Sequence, residues 1–166
     1  MQRYTVIGLM LDADECVVDQ VDSPTPGAVW AHLAQLAGVD TVRRREVYLP
    51  LAAFDGTVHV QHRIQDMNLE QVRGTAGGPD QQWTVIALEL SALQIGVLTI
   101  EAPSGPHAAL VALDAYNNDM GETAAPPNAD LAAHAMEVVA VLWGYRMPAA
   151  VFDPLETVVT DDGGSL

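Results

Sequence analysis

Hydrophobic residues near the start of the chain are arranged as in a β-hairpin. Residues 4–11 are rich in β-branched and apolar side chains and contain few turn formers, which predicts a largely buried strand. A polar turn follows at 12–15, and residues 16–22 alternate between apolar and polar as a second strand does. These segments together predict an antiparallel pair of strands.

After this hairpin the pattern changes to a helical spacing. Thr25 is placed to cap a helix, and Pro26 would occupy the first helical position, where proline is well tolerated. Apolar residues recur at helical spacing over 29–36, and Gly38 ends the run. A helix is therefore predicted after the hairpin.

Two further apolar segments, at 46–51 and 57–60, predict a third and a fourth strand. Pro50 has no N–H to donate to a central ladder. The third strand must therefore lie at an edge, contain a bulge, or be shorter than the apolar run. The first half of the chain thus has the predicted order ββαβ, with an additional strand at 57–60.

The same pattern returns at a constant offset of 79 residues. Residues 2–36 are identical to 81–115 at nine of 35 positions, whereas about three identities are expected by chance for an ordinary composition. Ser104 falls on the cap position of Thr25, and apolar residues follow it at helical spacing. The matches therefore indicate a tandem repeat.

Residues 130–143 allow two interpretations. Apolar side chains at helical spacing fit one continuous helix over the whole segment. We favour a short helix at 131–136 followed by a strand at 137–142, because this order matches the first repeat. A fourth strand of the second repeat is predicted at 156–159.

These elements predict an α+β protein made of two tandem ββαβ repeats, at 1–73 and 81–160. A lone ββαβ unit leaves one sheet face open, so we expect the repeats to cover each other in one globular domain. This domain would have pseudo-two-fold symmetry, with mainly antiparallel strands in one sheet or in two packed layers and with helices packed on them. A flexible Gly-rich link at 74–80 joins the repeats, and the tail at 161–166 is predicted to be disordered.

The first repeat also resembles a group of known sequences. The run Tyr4-Thr5-Val6-Ile7-Gly8, a charged turn, a second strand and a proline-led helix are similar to short uncharacterised proteins of bacterial genomes, plasmids and phages. The resemblance covers residues 3–55 clearly and the second repeat weakly. It implies a structural unit with no activity to transfer, and it favours a small binding protein from a mobile element.

The chain is acidic because basic residues are scarce. It has 22 Asp and Glu against seven Arg and no Lys, for a formal net charge of −15. Residues 80–166 contain twelve of the acids and only one base, Arg146. The negative electrostatic potential of such a chain repels nucleic acids and anionic membranes and attracts basic surfaces. A protein partner with a basic surface is therefore predicted, without direct contact to nucleic acid or membrane.

Cysteine and tryptophan positions add two expectations. Cys16 is the single cysteine, which excludes an internal disulfide framework, and no secretory signal or apolar stretch of about 20 residues is visible, so a cytoplasmic protein is predicted. Trp30, Trp83 and Trp143 are predicted to lie in the core, whereas an exposed tryptophan would mark an interface.

Candidate sites are few. Asp12, Asp14 and Glu15 place three carboxylates in one turn, which suits a hard cation, but the second repeat lacks them and a solvated turn is favoured. No catalytic residue and no cofactor is predicted. The candidate partner-binding residues are the only basic cluster and a set of acids in the second repeat: Arg43, Arg44, Arg45, Asp114, Asp119, Glu122 and Asp130.

Three functions are compatible with these features. The first is a non-enzymatic binding protein, an adaptor or inhibitor that acts through an acidic face and forms a homo-oligomer. The second is a nucleic-acid mimic that occupies a basic groove of a defence or regulatory protein, favoured if the acidic candidates share one ridge. The third is an enzyme with a carboxylate such as Glu89 or Glu101 in the cleft between the repeats. The sequence shows no converging catalytic groups, which favours the first.

Overall fold

The computed structural model describes residues 1–10, 14–29, 48–75, 77–89, 94–122 and 136–152, with the backbone alone at 48 and 117–122. The strands in these segments are β1 (Gln2–Met10), β2 (Glu15–Ser23), β3 (Tyr48–Asp55), β4 (Val60–Arg63), β5 (Gln81–Glu89), β6 (Gln94–Ala102), β7 (Met136–Trp143) and β8 (Ala150–Val151). The helices are α1 (Leu69–Val72) and α2 (Gly105–Glu122), and 3₁₀ turns span Pro26–Ala28 and Ile64–Asp66.

The described strands form two four-stranded antiparallel sheets, in the orders β2-β1-β3-β8 and β4-β7-β5-β6. The predicted α+β class with antiparallel pairing is confirmed, and the described strands form two sheets. By its internal contacts the chain divides into a first unit, Met1–His59 with Met147–Leu166, and a second unit, Val60–Arg146. The predicted division into repeats at 1–73 and 81–160 rests on the sequence pattern and stays a prediction.

The first unit begins with the predicted hairpin, β1 and β2. Its turn contains Asp14 with a φ of 50°, a left-handed conformation that Asp tolerates better than most residues. Tyr4 and Val6 pack in one hydrophobic cluster with Val29, while Ile7, which points to the opposite face of the strand, is also fully buried. The largely buried first strand is therefore confirmed.

Pro50 is accommodated by a bulge between β1 and β3. Ile7 pairs with Ala52 and Gly8 pairs with Pro50, which leaves Leu51 as the extra residue on β3. Bulges are sites where a strand can accept proline because the regular ladder is already interrupted. One of the three arrangements predicted for Pro50 is thus confirmed.

The hairpin of the second unit, β5 and β6, has the same length and register as β1 and β2, displaced by 79 residues. Small side chains of α2, from Ala108, Ala109 and Ala112, allow the helix to pack closely on the sheet. They contact a cluster that includes Trp83 and Val85 of β5. Helix and hairpin therefore share one hydrophobic core within this unit.

The cap predicted at Ser104 is confirmed for α2, and Thr25 caps the 3₁₀ turn Pro26–Ala28. The Thr25 hydroxyl accepts a hydrogen bond from the Ala28 amide (3.3 Å), and the Ser104 hydroxyl accepts one from the His107 amide (3.3 Å). The description of this segment ends at residue 29, so the rest of the helix predicted after Thr25 lies outside the described residues.

The end of the segment 130–143 is a strand, as in the interpretation that we favoured. Met136–Trp143 is β7, which pairs with β4 on one side and β5 on the other, so one continuous helix over 130–143 is wrong. The short helix predicted at 131–136 lies outside the described residues, apart from Met136, which belongs to the strand.

The fourth strand of each sheet comes from the other half of the sequence. The segment predicted at 57–60 becomes β4 only at Val60, and β4 joins β7 in the second sheet. β8 pairs with β3 in the first sheet. The strand predicted at 156–159 lies outside the described residues.

Candidate functional site

A tight turn follows β3 in the first unit, and its backbone is held by one buried hydroxyl. Gly56 has a φ of 74°, and its amide donates to the carbonyl of Arg3 (2.8 Å). The Thr5 hydroxyl donates to the Gly56 carbonyl (2.7 Å) and accepts from the Val58 amide (2.8 Å). Thr5 is fully buried, so this arrangement fixes the turn from inside the protein.

The turn after β7 in the second unit has the same hydrogen bonds. Gly144 has a φ of 79°, and its amide donates to the carbonyl of Gln82 (2.8 Å). The Thr84 hydroxyl donates to the Gly144 carbonyl (2.8 Å) and accepts from the Arg146 amide (2.8 Å). Thr84 is also fully buried. Each turn is therefore held by a glycine with positive φ and a buried threonine.

The residues on either side of the two glycines are different. In the first unit they are Asp55 and Thr57, both exposed, and with Gly56 they form what we call the polar turn. In the second unit they are Trp143 and Tyr145, which are 62% and 57% exposed, and with Gly144 they form the aromatic turn. The second unit thus presents two large aromatic side chains on a turn whose backbone does not require them.

A further hydrogen bond on each turn involves a glutamine of the neighbouring strand. The Gln2 amide donates to the Asp55 carboxylate (2.8 Å) in the polar turn. In the aromatic turn the Trp143 indole N–H donates to the Gln81 side-chain oxygen (3.1 Å). This bond orients the Trp143 ring at the surface and restricts the rotation of its side chain.

The exposure of Trp143 corrects one prediction. Trp83 is 7% exposed and belongs to the core as predicted, whereas Trp143 is the last residue of β7 and lies outside the cluster covered by α2. Trp30 lies outside the described residues. Hydrophobic patterning gave no signal for Tyr145 or Trp143 as surface residues, because an apolar side chain at a strand end has the same pattern as a core residue.

The carboxylate turn gives no support for a metal site. Asp14 and Glu15 are exposed, and Asp12 lies outside the described residues. Within the part of the chain that the structure describes, no group of three or more His, Cys, Asp or Glu side chains is arranged to hold a metal ion.

The charged partner-binding candidates are only partly described. Asp114 is exposed on α2, where its Oδ1 lies 3.6 Å from Nη1 of Arg73. Asp119 and Glu122 belong to the same helix, with no description of their side chains. The cluster 43–45 and Asp130 lie outside the described residues. The acidic ridge therefore stays a hypothesis.

A cavity of about 280 Å³ lies within the second unit, between the sheet and α2. Its walls are mainly apolar, and its described titratable side chains are Glu89 and Tyr116. Partial burial and a hydrogen bond to the Glu89 carboxylate raise the pKa of Tyr116. Tyr116 and Glu89 are thus hydrogen-bonded to each other. Glu101, the other carboxylate considered for catalysis, is exposed on β6.

His62 of β4 lies against the start of α2. Its ring centroid is 6.2 Å from that of Trp83, and a Cβ atom at Gly105 would overlap the imidazole. Burial lowers the pKa of His62, and the nearby Asp66 carboxylate opposes this effect. The partly buried His62 side chain thus packs at the edge of the hydrophobic core of this unit.

A scan against models of protein families and searches of curated proteins and of solved structures find no match to this chain. The resemblance to plasmid and phage proteins stays a hypothesis. Among the described helices, none combines the length and the apolar character needed to cross a membrane.

Proposed function

We propose that this chain is a non-enzymatic acidic protein, an adaptor or inhibitor, that binds a protein partner with a basic surface through the aromatic turn. The observation that carries this proposal is the exposure of Trp143 and Tyr145 on a turn that the first unit builds with Asp55 and Thr57. Because the fold does not need aromatic residues there, a role at the surface accounts for them.

The aromatic turn has the properties of an interface anchor. Tryptophan and tyrosine dominate the residues whose truncation costs most binding energy in protein complexes. The Thr84 and Gly144 hydrogen bonds fix the backbone beneath them, so little ordering is required on association. Preorganisation of this kind favours affinity without additional contact area.

The charge of the chain favours a basic partner. A net charge of −15 steers positively charged surfaces toward the protein and makes their association rate depend on ionic strength. Indole and phenol rings also attract guanidinium and ammonium groups over their faces. A partner that presents Arg or Lys beside an apolar patch therefore suits both features.

We also propose that the two units derive from a duplicated ββαβ element, with each half supplying one strand to the sheet of the other. The matching hairpin registers, the matching bulges beside Gly8 and Ala87, and the matching turns at Gly56 and Gly144 support this origin. After duplication, the turn of the second copy would be free to acquire a binding role.

The decisive experiment compares the two turns by quantitative affinity capture. The variant W143D/Y145T gives the aromatic turn the residues of the polar turn, and D55A/T57A alters the polar turn as a matched control. We expect W143D/Y145T to reduce recovery of the captured protein at least about tenfold, since two anchor residues are removed. D55A/T57A should retain full capture.

Equal capture by both variants, or capture of an acidic protein, would count against this proposal. The captured protein is then challenged with duplex DNA. Displacement by DNA at moderate salt would instead favour the nucleic-acid mimic, because carboxylates and phosphates would compete for one basic groove.

A further inference from the structure

Each sheet has one strand of its hairpin at an edge, and the two edge strands differ in the charge of their side chains. β2 and β6 are the outer strands of their sheets, each paired with a single neighbour among the described strands, β1 and β5 respectively. An edge strand presents unpaired N–H and C=O groups, which are a template for pairing with another chain. Charged side chains are one of the devices that prevent such pairing.

β2 has these charges and β6 lacks them. At matching register positions β2 carries three acids, whereas β6 has a single acid near its end: Glu15, Asp19 and Asp22 against Gln94, Leu98 and Glu101. The middle position is the most informative, because Asp19 pairs with Val6 as Leu98 pairs with Val85. Residues 94–100 form an uncharged edge in a strongly acidic chain.

Apolar surface lies beside this edge on the helix side. Leu98 is 38% exposed and Val111 of α2 is 45% exposed. Leu98 lines the cavity together with Ala115, and Val111 precedes Ala115 by one helical turn, so both helix residues lie on the flank that faces β6. The uncharged edge and the exposed apolar side chains therefore adjoin.

We propose that β6 pairs with β6 of a second copy of this chain, antiparallel about a two-fold axis near Leu98, to form a homodimer with one continuous sheet. An antiparallel pair places the middle of the strand opposite itself and each end opposite the other end. Leu98 thus meets Leu98, and Glu101 lies opposite the uncharged Gln94 end.

Charge selects this surface for self-association. Two copies of a chain with net charge −15 repel each other across most of their surface, and the edge at 94–100 is free of formal charge. The same pairing through β2 would place Asp19 opposite Asp19, which is unfavourable. This inference goes beyond the proposed function, because it does not use the aromatic turn.

The first test is sedimentation velocity of the full chain over a wide concentration range. Wild type should reach twice the 17.7 kDa chain mass at high concentration. L98D gives β6 the residue that β2 has, and burial of two opposed carboxylates should raise the dimer dissociation constant at least about 100-fold. M147D adds the same charge at a 72% exposed position outside β6 and should dimerise as wild type does.

The second test needs no variant and therefore remains informative if L98D fails to fold. Hydrogen exchange of the wild type should show amides of β6 that exchange more slowly at high concentration than at low concentration, with β2 amides unchanged. A wild type that stays monomeric throughout overturns the proposal, as does a wild type that dimerises while its β6 amides exchange equally fast at every concentration.

Failure of this inference is distinguishable from failure of the proposed function. W143D/Y145T should dimerise normally while losing its partner, and L98D should retain the partner that binds the aromatic turn. Loss of the dimer in W143D/Y145T would move the self-association surface to the aromatic turn and overturn pairing through β6.

Discussion

The polar turn at Asp55, Gly56 and Thr57 and the aromatic turn at Trp143, Gly144 and Tyr145 have nearly the same backbone and present different side chains. The two glycines have similar φ values, 74° and 79°, and each turn is held by a buried threonine hydroxyl that both donates and accepts. The two turns differ chiefly in the residues that face outward.

This contrast separates what the fold requires from what the surface is free to present. The glycine is needed because it adopts a positive φ without strain, and the threonine is needed because its hydroxyl pairs with a carbonyl and an amide of the turn. The flanking positions accept a carboxylate and a hydroxyl in one unit and two aromatic rings in the other.

The largest effect should come from removing the threonine hydroxyls. T5V and T84V keep the side-chain shape but remove the hydroxyl that pairs with a partly buried carbonyl and with a turn amide, so we expect each to lower the free energy of unfolding by about 1–3 kcal/mol. T5V should be the more destabilising, because Thr5 also accepts a hydrogen bond from Gln20 (2.9 Å). Urea denaturation measures both, and T57V at the exposed neighbour serves as control.

Replacing the turn glycines should have a smaller and equal effect in the two units. G56A and G144A place an L-residue in the left-handed region, at a cost of about 1–2 kcal/mol, and open space surrounds both Cβ positions. G27A, where φ is not positive and space is also open, is the matched control and should be nearly neutral. Clearly unequal losses at 56 and 144 would show that the turns are not held alike.

Exchanging the outward residues should leave stability almost unchanged. W143D/Y145T alters exposed positions, where substitutions change the free energy of unfolding by about 0.5 kcal/mol or less. Gln81 would then face the introduced carboxylate as Gln2 faces Asp55, so a side-chain hydrogen bond can be regained. Thermal unfolding followed by circular dichroism checks this expectation, and a marked drop in Tm would assign the aromatic rings a structural role.

The smallest expected effect is on the pH dependence of the free energy of unfolding, through His62. This histidine lies beside Gly105 at the start of α2, whereas the corresponding position of the first unit is Pro26. Burial lowers the folded-state pKa of His62, so the unfolded chain takes up the proton first. Stability is therefore unaffected by His62 above about pH 6.5 and falls as pH drops through its folded-state pKa.

H62N should remove this part of the pH dependence, whereas H59N should not. Unfolding free energies measured from neutral to mildly acidic pH provide the comparison. An identical pH slope in wild type and H62N would contradict the assignment.

Local elements of this fold were predictable because their causes are local. The hairpin β1–β2 follows from apolar runs separated by a polar turn, and the caps at Thr25 and Ser104 follow from side chains that accept nearby amides. In each case the deciding groups are within a few residues of one another.

The candidate site was not predictable in the same way. An exposed Trp143 and a buried Trp83 fit apolar strands equally well, so patterning assigned both to the core. The role of Thr84 also depends on Gly144 and Arg146, which lie 60 and 62 residues further along the chain. The offset of 79 residues relates Thr84 to Thr5 but does not relate Gly144 to Gly56, so the sequence repeat did not indicate that the two turns correspond.

The sequence by itself determined the first hairpin, the caps at Thr25 and Ser104 and the acidity of the chain, because each depends on neighbouring residues or on composition. The tertiary structure decided that β4 joins the second sheet, that β8 joins the first, and that Trp143 and Tyr145 face outward. Strand partners and exposure depend on residues distant in sequence, and apolar strands of similar pattern do not specify which neighbour they will pair with.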